Sequence, residues 1–442
     1  MASTYLEKTF SGTPTNNKKC TISIWCKKTK NGSETVLLTQ KISSARDGLR
    51  FDGSGDKLRL FLNNANEADL VTNRVFRDPN AFYHIVVSID TTQATSSDRV
   101  KFYINGVQET SFSTETYPSQ NYVLGFGNTT LCNVGRDASD TTGHFDGVMS
   151  HIHFIDGTAY DASAFGETDS TTGEWKIKTS PSVTYGTNGY FILKDGNSGT
   201  DQSPNSNDFA VGGGTLTNTE DCPSNVFATF NPLHNTSATM SNGNLTAQST
   251  NSNYISGVST LGTKTGKFYA EFKLIAEGAS GESVIGVTAL VRPTSAIVGQ
   301  TGNFGIRNNS GLNYYTSGGT AYTGTSQHDN FTVNDIIGVA LDMDNGKVYF
   351  SKNGGWWNGA STWTGTSPST YVTLQTDIYD EFFFECGDAA AGQNANWSAN
   401  FGNGYFGTTA ISSEGTNASG IGKFEYDVPT GYTALSTKGL NE

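Results

Sequence analysis

At 442 residues the chain is too long for a single hydrophobic core, and two domains are the natural count. The formal net charge is −13, and residues 221–442 carry nine Lys or Arg against seventeen Asp or Glu, so no basic patch is dense enough for nucleic acid or an anionic membrane. No stretch reaches the ~18 apolar residues of a membrane span, and Met1 to Phe10 lacks a basic segment followed by an apolar core, so membrane insertion is not expected and synthesis as a soluble cytosolic protein is.

Hydrophobic residues are 35% and charged residues 16%, but 12% aromatic content supplies large apolar faces to bury. Glycine is abundant at 51 and proline scarce at 10, which fits many tight turns between short strands better than a disordered polymer. Five widely spaced cysteines, Cys20, Cys26, Cys132, Cys222 and Cys386, match neither a zinc pattern nor a disulfide framework and are expected as reduced, mostly buried thiols.

The predicted strands begin with Ile22 to Cys26, Leu58 to Leu62, His84 to Ile89 and Val100 to Ile104, each alternating or almost wholly apolar with β-formers. Turn signals separate them: Asp52-Gly53, Asp78-Pro79 and Asn105-Gly106, the last a strong hairpin signal. Around Asp161 to Phe165 the sequence DASAF predicts one helical turn capped by Asp161. Between Thr187 and Asn242 the chain turns to Asn, Ser, Gly, Thr and Asp with isolated Phe191, Phe209, Phe227 and Phe230, the character of an interdomain segment packed on a domain edge.

Strand grammar resumes at Lys267 to Ile275, Val284 to Leu290, Ile336 to Leu341, Val348 to Ser351 and within DEFFFECG, with Asp344-Asn345-Gly346 as a tight turn. The reading is all-β: two antiparallel jelly-roll β-sandwiches over residues 1–186 and 242–442, joined by an irregular Asn/Ser/Gly-rich region at 187–241.

No catalytic constellation stands out. Glu271, Asp342 and Asp344 do not form the strand-borne carboxylate signature of glycan hydrolases, no G-x-S-x-G elbow exists, and the six histidines are scattered, so no catalytic residue is predicted. His151 and His153, two apart in SHIHF, share a strand face if the strand is regular, which suits a metal only if a third ligand crosses from a neighbour; the plainer alternative is a solvent-facing pair. Trp356, Trp357 and Trp363 fall within eight residues of loop sequence. Exposed, such rings stack on sugars or anchor protein partners; otherwise they cover the open end of the sandwich.

The hairpin at Ile336 to Gly354, an apolar strand, an Asp-rich turn and a return ending in Lys-Asn-Gly, resembles a SPRY domain. GKFYAEFKL, VIGVTA and NWSANFGNGYF resemble its other strands, over about Asn242 to Tyr432. From Tyr5 to Lys178, CTISIWCKKT, FYHIVVSID, VKFYINGVQE and FDGVMSHIHFIDG resemble the laminin G and concanavalin A-like group. That resemblance implies a possible rim Ca²⁺ site from Asp137, Asp140 and Asp146, with no cofactor strictly required. The combination, including GYTALSTKGL, is similar to virion structural proteins of phages of marine bacteria. It implies a non-enzymatic virion subunit, such as a tail fibre, knob or other appendage, that binds a host surface glycan or receptor, contacts other virion proteins and forms homo-oligomers. A capsid-decorating role and a polysaccharide hydrolase are the alternatives.

Overall fold

The computed structural model describes residues 3–140, 142–194, 198–234, 238–249, 256–277, 283–289, 302–308, 313–315, 321–323, 329–359, 362–388 and 395–441. Strand makes up 45% of the chain and helix 2%, and the chain divides into two compact units. The first comprises residues 1–218 with 222–224, and the second residues 219–221 with 225–442.

The first unit opens with β1 (Tyr5–Thr9), β2 (Lys19–Lys28), β3 (Thr35–Ile42), β4 (Ala45–Phe51), β5 (Lys57–Leu62) and β6 (Ala68–Val75). It continues with β7 (Phe82–Asp90), β8 (Val100–Ile104), β9 (Val107–Glu109), β10 (Phe112–Thr116) and β11 (Leu131–Val134). β12 (Gly147–Asp156), β13 (Gly166–Thr168), β14 (Trp175–Ile177), β15 (Tyr190–Ile192) and β16 (Ala210–Gly213) complete it. An eight-stranded sheet, β10-β6-β5-β4-β3-β11-β1-β16, stacks on a six-stranded one, β15-β12-β2-β7-β8-β9. Alternation decides what is buried between them. On β2, Cys20, Ile22, Ile24 and Cys26 enter the same core as Leu49, Leu58, Leu60 and Leu62 of β4 and β5.

Turn chemistry follows the sequence. Asn105 (φ +47°) and Gly106 (φ +81°) both take left-handed backbone between β8 and β9, as a two-residue hairpin turn requires. Asp161 caps the 3₁₀ turn Ala162–Ala164 by accepting the Ser163 N–H at 2.8 Å. All five cysteines are free, four of them buried.

The second unit runs β17 (Ala238–Ser241), β18 (Thr246–Ser249), β19 (Ser256–Thr263), β20 (Lys267–Ala276), β21 (Ser283–Thr288) and β22 (Asn303–Arg307). It continues through β23 (Asn313–Tyr315), β24 (Ala321–Thr323), β25 (Ile336–Asp342), β26 (Lys347–Lys352), β27 (Gly355–Trp356) and β28 (Tyr371–Thr373). Last come β29 (Phe382–Asp388), β30 (Asn396–Asn400), β31 (Tyr405–Phe406), β32 (Thr409–Ala410) and β33 (Thr433–Ala434). A nine-stranded sheet has the path β17-β18-β30-β20-β25-β26-β27, with β28 beside β26 and β33 parallel to β20. It packs on the four-stranded sheet β19-β29-β21-β22 through Phe272, Phe384, Phe401, Trp397 and their neighbours.

The stretch 187–241 is more regular than its composition indicates. β15 pairs with β12, β16 pairs with β1, Phe227 bridges Ser436, and Phe230 bridges Ser259. Its isolated phenylalanines anchor it: Phe191 and Phe209 are buried in the first unit, Phe227 and Phe230 in the second.

Candidate functional site

Each sandwich has two outward sheet faces, and in the first unit one is closed. Residues 157–187 lie across the outer face of the six-stranded sheet. There Phe165, Trp175, Val183 and Tyr185 pack on Val86, Ile155 and Tyr103. Thr21 Oγ1 donates to the Thr158 carbonyl at 2.8 Å, and the Tyr160 N–H donates back to it at 2.8 Å. Trp175 Nε1 donates to His84 Nδ1 at 2.9 Å, so neutral His84 carries its proton on Nε2 and donates to Ser23 Oγ at 2.9 Å. His84 also stacks 4.6 Å from Trp25, and burial lowers its pKa to about 3.

The outer face of the eight-stranded sheet remains partly open, and it is polar. Register places Asn133, Thr39, Gly48, Phe61, Asp69 and Thr116 in one row across β11, β3, β4, β5, β6 and β10. The row two residues along brings Arg50 of β4 opposite Arg59 of β5. Two cations facing each other across strands repel. Carboxylates relieve this: Asp52 lies 3.0 Å from Arg50 and 3.8 Å from Arg59, Glu34 lies 2.7 Å from Arg50, and Asp69 takes Arg59 bidentately at 2.7 and 2.9 Å.

The three guanidinium groups of Arg46, Arg50 and Arg59 surround the Phe61 ring at 5.6, 5.1 and 5.9 Å from its centroid. Each such contact contributes about 0.5–1 kcal/mol, and together they fix three long side chains in place. The ring has room because position 48 has no side chain; a Cβ there would lie 2.3 Å from Phe61 Cζ. At the neighbouring end, the Arg136 guanidinium stacks 3.5 Å over Tyr5. The result is a rigid plane of alternating donors and acceptors over aromatic surface. Such a plane suits a polyhydroxylated ligand, whose hydroxyls both donate and accept.

The sequence-predicted residues lie elsewhere or play other parts. Asp137 is buried, its carboxylate 2.5 Å from Arg46 and accepting the Ser139 N–H. Asp140 is half exposed, 3.6 Å from Arg46, and caps Thr142; its hydrogen bonds to Thr142 outweigh desolvation and lower its pKa. Asp146 accepts from Thr29 Oγ1 at 3.2 Å. Two of the three predicted Ca²⁺ ligands thus serve one arginine, and among the described residues no three His, Cys, Asp or Glu side chains group as a metal cage.

His151 and His153 depart from the regular strand on which their shared face depends. Ser150 pairs with Trp25 and His153 with Ser23, so three steps on β12 oppose two on β2, and His151 takes φ +47°. Nor is His153 solvent-facing: it is 2% exposed, stacks 3.9 Å on Phe191 and shares a 2.9 Å hydrogen bond with Tyr185 Oη.

Of the two readings of the tryptophans, the structure has the covering one. Trp356 is buried with Tyr269, Phe424 and Tyr432, and Trp357 is buried in the main core of the second unit. Trp363 packs partly buried beside that core and donates from Nε1 to the Asp329 carbonyl at 2.9 Å. Trp356 and Trp357, at 5% and 2% exposure, present no open stacking face. Trp397, on β30, is a core residue.

Three carboxyls have pKa values raised by burial: Asp47 to about 6, Glu271 to about 7 and Glu385 to about 8. Such shifts accompany catalysis when the group faces a cleft. Here each is enclosed. Asp47 accepts the N–H groups of Asn63 and Gly125, and Glu385 accepts from Asn303 Nδ2. Glu271 accepts the N–H groups of Glu425 and Tyr426, both at 2.8 Å, and the side chains of Asn400 and Tyr269 at 3.2 Å. Asp47 and Glu271 bind loops to strands, and Glu385 ties β29 to β22.

Known proteins resemble the two units separately. Residues 3–163 match the Laminin_G_3 family, the concanavalin A-like lectin/glucanases superfamily, and residues 267–369 match the SPRY domain family. The chain therefore carries an N-terminal concanavalin A-like domain and a C-terminal SPRY domain, both β-sandwiches. Domains of these types are typically non-catalytic binding modules. Among solved structures, it is similar to the SPRY domain of human HERC1 (19% identity, 38% of this chain and 96% of that one, TM-score 0.32). It is also similar to the TRIM65 PSpry domain (14%, 39% and 91%, 0.27) and to the heptameric SAP-like pentraxin from Limulus polyphemus (13%, 36% and 72%, 0.26). No curated protein matches the chain.

Proposed function

We propose that this chain is a non-enzymatic recognition subunit whose N-terminal domain binds a glycan on the outer face of the eight-stranded sheet. The observation that carries the reading is the guanidinium–carboxylate plane over Phe61, on the one sheet face of that domain that residues 157–187 leave free. A stiff sheet fixes the binding groups before the ligand arrives, which limits the entropy lost on association.

The sequence's resemblance to phage virion proteins supports a reading in which this module belongs to a bacteriophage particle, as a tail-fibre, knob or other appendage subunit. It would contact other virion proteins, assemble as a homo-oligomer, and meet a host surface glycan or receptor. A Ca²⁺ requirement is not part of the proposal, because Arg46 already engages Asp137 and Asp140.

The test is a glycan array probed with the purified chain and with Arg59→Ala and Asp69→Ala. Binding by the parent and its loss in both variants supports the proposal; no binding, or binding indifferent to both, overturns it. Particle stoichiometry equal to that of the major capsid protein would favour a decorating role, and release of reducing sugar would favour a hydrolase.

A further inference from the structure

We infer that the SPRY domain holds a separate binding site for an acidic sugar, formed by Tyr349, Tyr371 and Lys347 on the outer face of the nine-stranded sheet. It does not depend on the N-terminal face being a ligand site.

Most of that outer face is covered. Ile421, Phe424, Val428 and Tyr432 pack over Tyr269 and Ala340, and Glu271 holds the covering segment by the N–H groups of Glu425 and Tyr426. Towards the β26–β28 edge the cover gives out. Register continues the row Tyr269, Ala340, Tyr349, Tyr371 across β20, β25, β26 and β28. Tyr269 is fully buried, Tyr349 is half-buried, and Tyr371 is 42% exposed. The Tyr349 and Tyr371 rings meet edge to face, 5.7 Å apart at 65°, and carry the aromatic surface to the open edge of the sheet.

The adjacent row on the same face is Lys267, Asp342, Lys347, Thr373. Lys267 satisfies Asp342 at 3.1 Å, and Asn345 donates to that carboxylate twice. Lys347 is different. Its Nζ sits 4.1 Å from the Tyr371 centroid and makes no ion pair among the described residues. A lysine with no such pair, beside exposed aromatic surface, is available to an anionic ligand in a half-chain with nine basic and seventeen acidic residues.

That chemistry selects one ligand class. The C–H face of a pyranose stacks on exposed tyrosine, and a carboxylate on the sugar reaches the flexible Lys347 ammonium beside it. A nucleic acid needs several cations along its path, and here exposed Asp344 stands three residues before the single lysine beside the two rings. The site fits the uronate unit of an acidic polysaccharide.

Isothermal titration of the full chain with alginate oligosaccharides, against neutral maltooligosaccharides, tests this. Alginate binds; Tyr371→Ala and Lys347→Gln each weaken it by about tenfold or more; and Lys347→Gln abolishes the preference over the neutral sugar. Thermal unfolding confirms that both variants remain folded. No alginate binding by the parent, unchanged affinity in either variant, or equal binding of the neutral sugar overturns the inference. Loss on Arg59→Ala with Tyr371→Ala silent also overturns it, and assigns the binding to the N-terminal face instead.

Discussion

The Phe61 ring occupies the space that a side chain at Gly48 would fill, with Cζ 2.3 Å from the position of a Cβ there. Gly48→Ala must therefore displace the ring and the three guanidinium groups around it. We expect destabilisation of the N-terminal domain by about 1–3 kcal/mol in thermal unfolding. In the Phe61→Ala background the same alanine meets no ring, so the double-mutant cycle shows strong coupling. Additive effects would mean that the two positions do not share this space.

Arg59 grips Asp69 through two parallel hydrogen bonds, a geometry that an ammonium cannot reproduce. Arg59→Lys keeps the charge but loses the fork and the stacking on Phe61. A loss of about 0.5–1.5 kcal/mol is expected in chemical denaturation, larger at low salt than at high. An unchanged midpoint would show that charge alone suffices.

Removing the Glu271 carboxylate leaves the Glu425 and Tyr426 N–H groups without their acceptor. Glu271→Ala is expected to destabilise the SPRY domain by about 3–5 kcal/mol. Limited proteolysis should then cut first between residues 412 and 428. Protection there equal to that of the parent would show that Phe424 and Tyr432 hold the segment unaided.

The two domains should respond to pH in opposite senses between about pH 5 and 6. Burial lowers the pKa of His84 to about 3 and that of His153 well below its ordinary value. The unfolded chain takes up those protons first, so this stabilisation is present above the unfolded histidine pKa and is lost as pH falls. Asp47, raised to about 6, offsets one of the two. In the SPRY domain, Glu271 and Glu385 are raised by burial, so their stabilisation is full at low pH and is lost as pH rises towards about 7 and 8. His234, lowered to about 4, offsets one. Calorimetry should show the N-terminal transition rising with pH in this window and the C-terminal one falling, each uncompensated proton shifting stability by about 1.4 kcal/mol per pH unit. Parallel shifts would contradict this balance.

Period-two patterning made most strands legible: Val100 to Ile104 coincides with β8, and Lys267 to Ile275 with β20 but for one residue. KLRLFL even displays the outward face of the sheet, since Arg59 and Phe61 alternate with Leu58, Leu60 and Leu62 of the core. What alternation cannot show is register. Only pairing brings Gly48 beside Phe61 and Arg50 beside Arg59. The histidine pair escaped prediction because one bulged residue reverses strand parity, and a bulge leaves no clear mark in SHIHF. The tryptophans misdirect for a different reason: a loop that folds back over a sandwich is as aromatic as one that reaches outward, and only the positions of Tyr269 and Phe424 distinguish them.

The SPRY domain is closed by its own extremities: Phe227 bridges Ser436, Thr433 and Ala434 lie along β20, and Leu435 enters the main core. A ribosome must release residue 436 before this sandwich can seal, whereas the N-terminal one has every strand it needs once Gly213 has emerged. During synthesis the first domain can mature while the second waits with an unfinished sheet, and that interval is when the nascent chain is most open to chaperones and to mispairing with its neighbours on the same message.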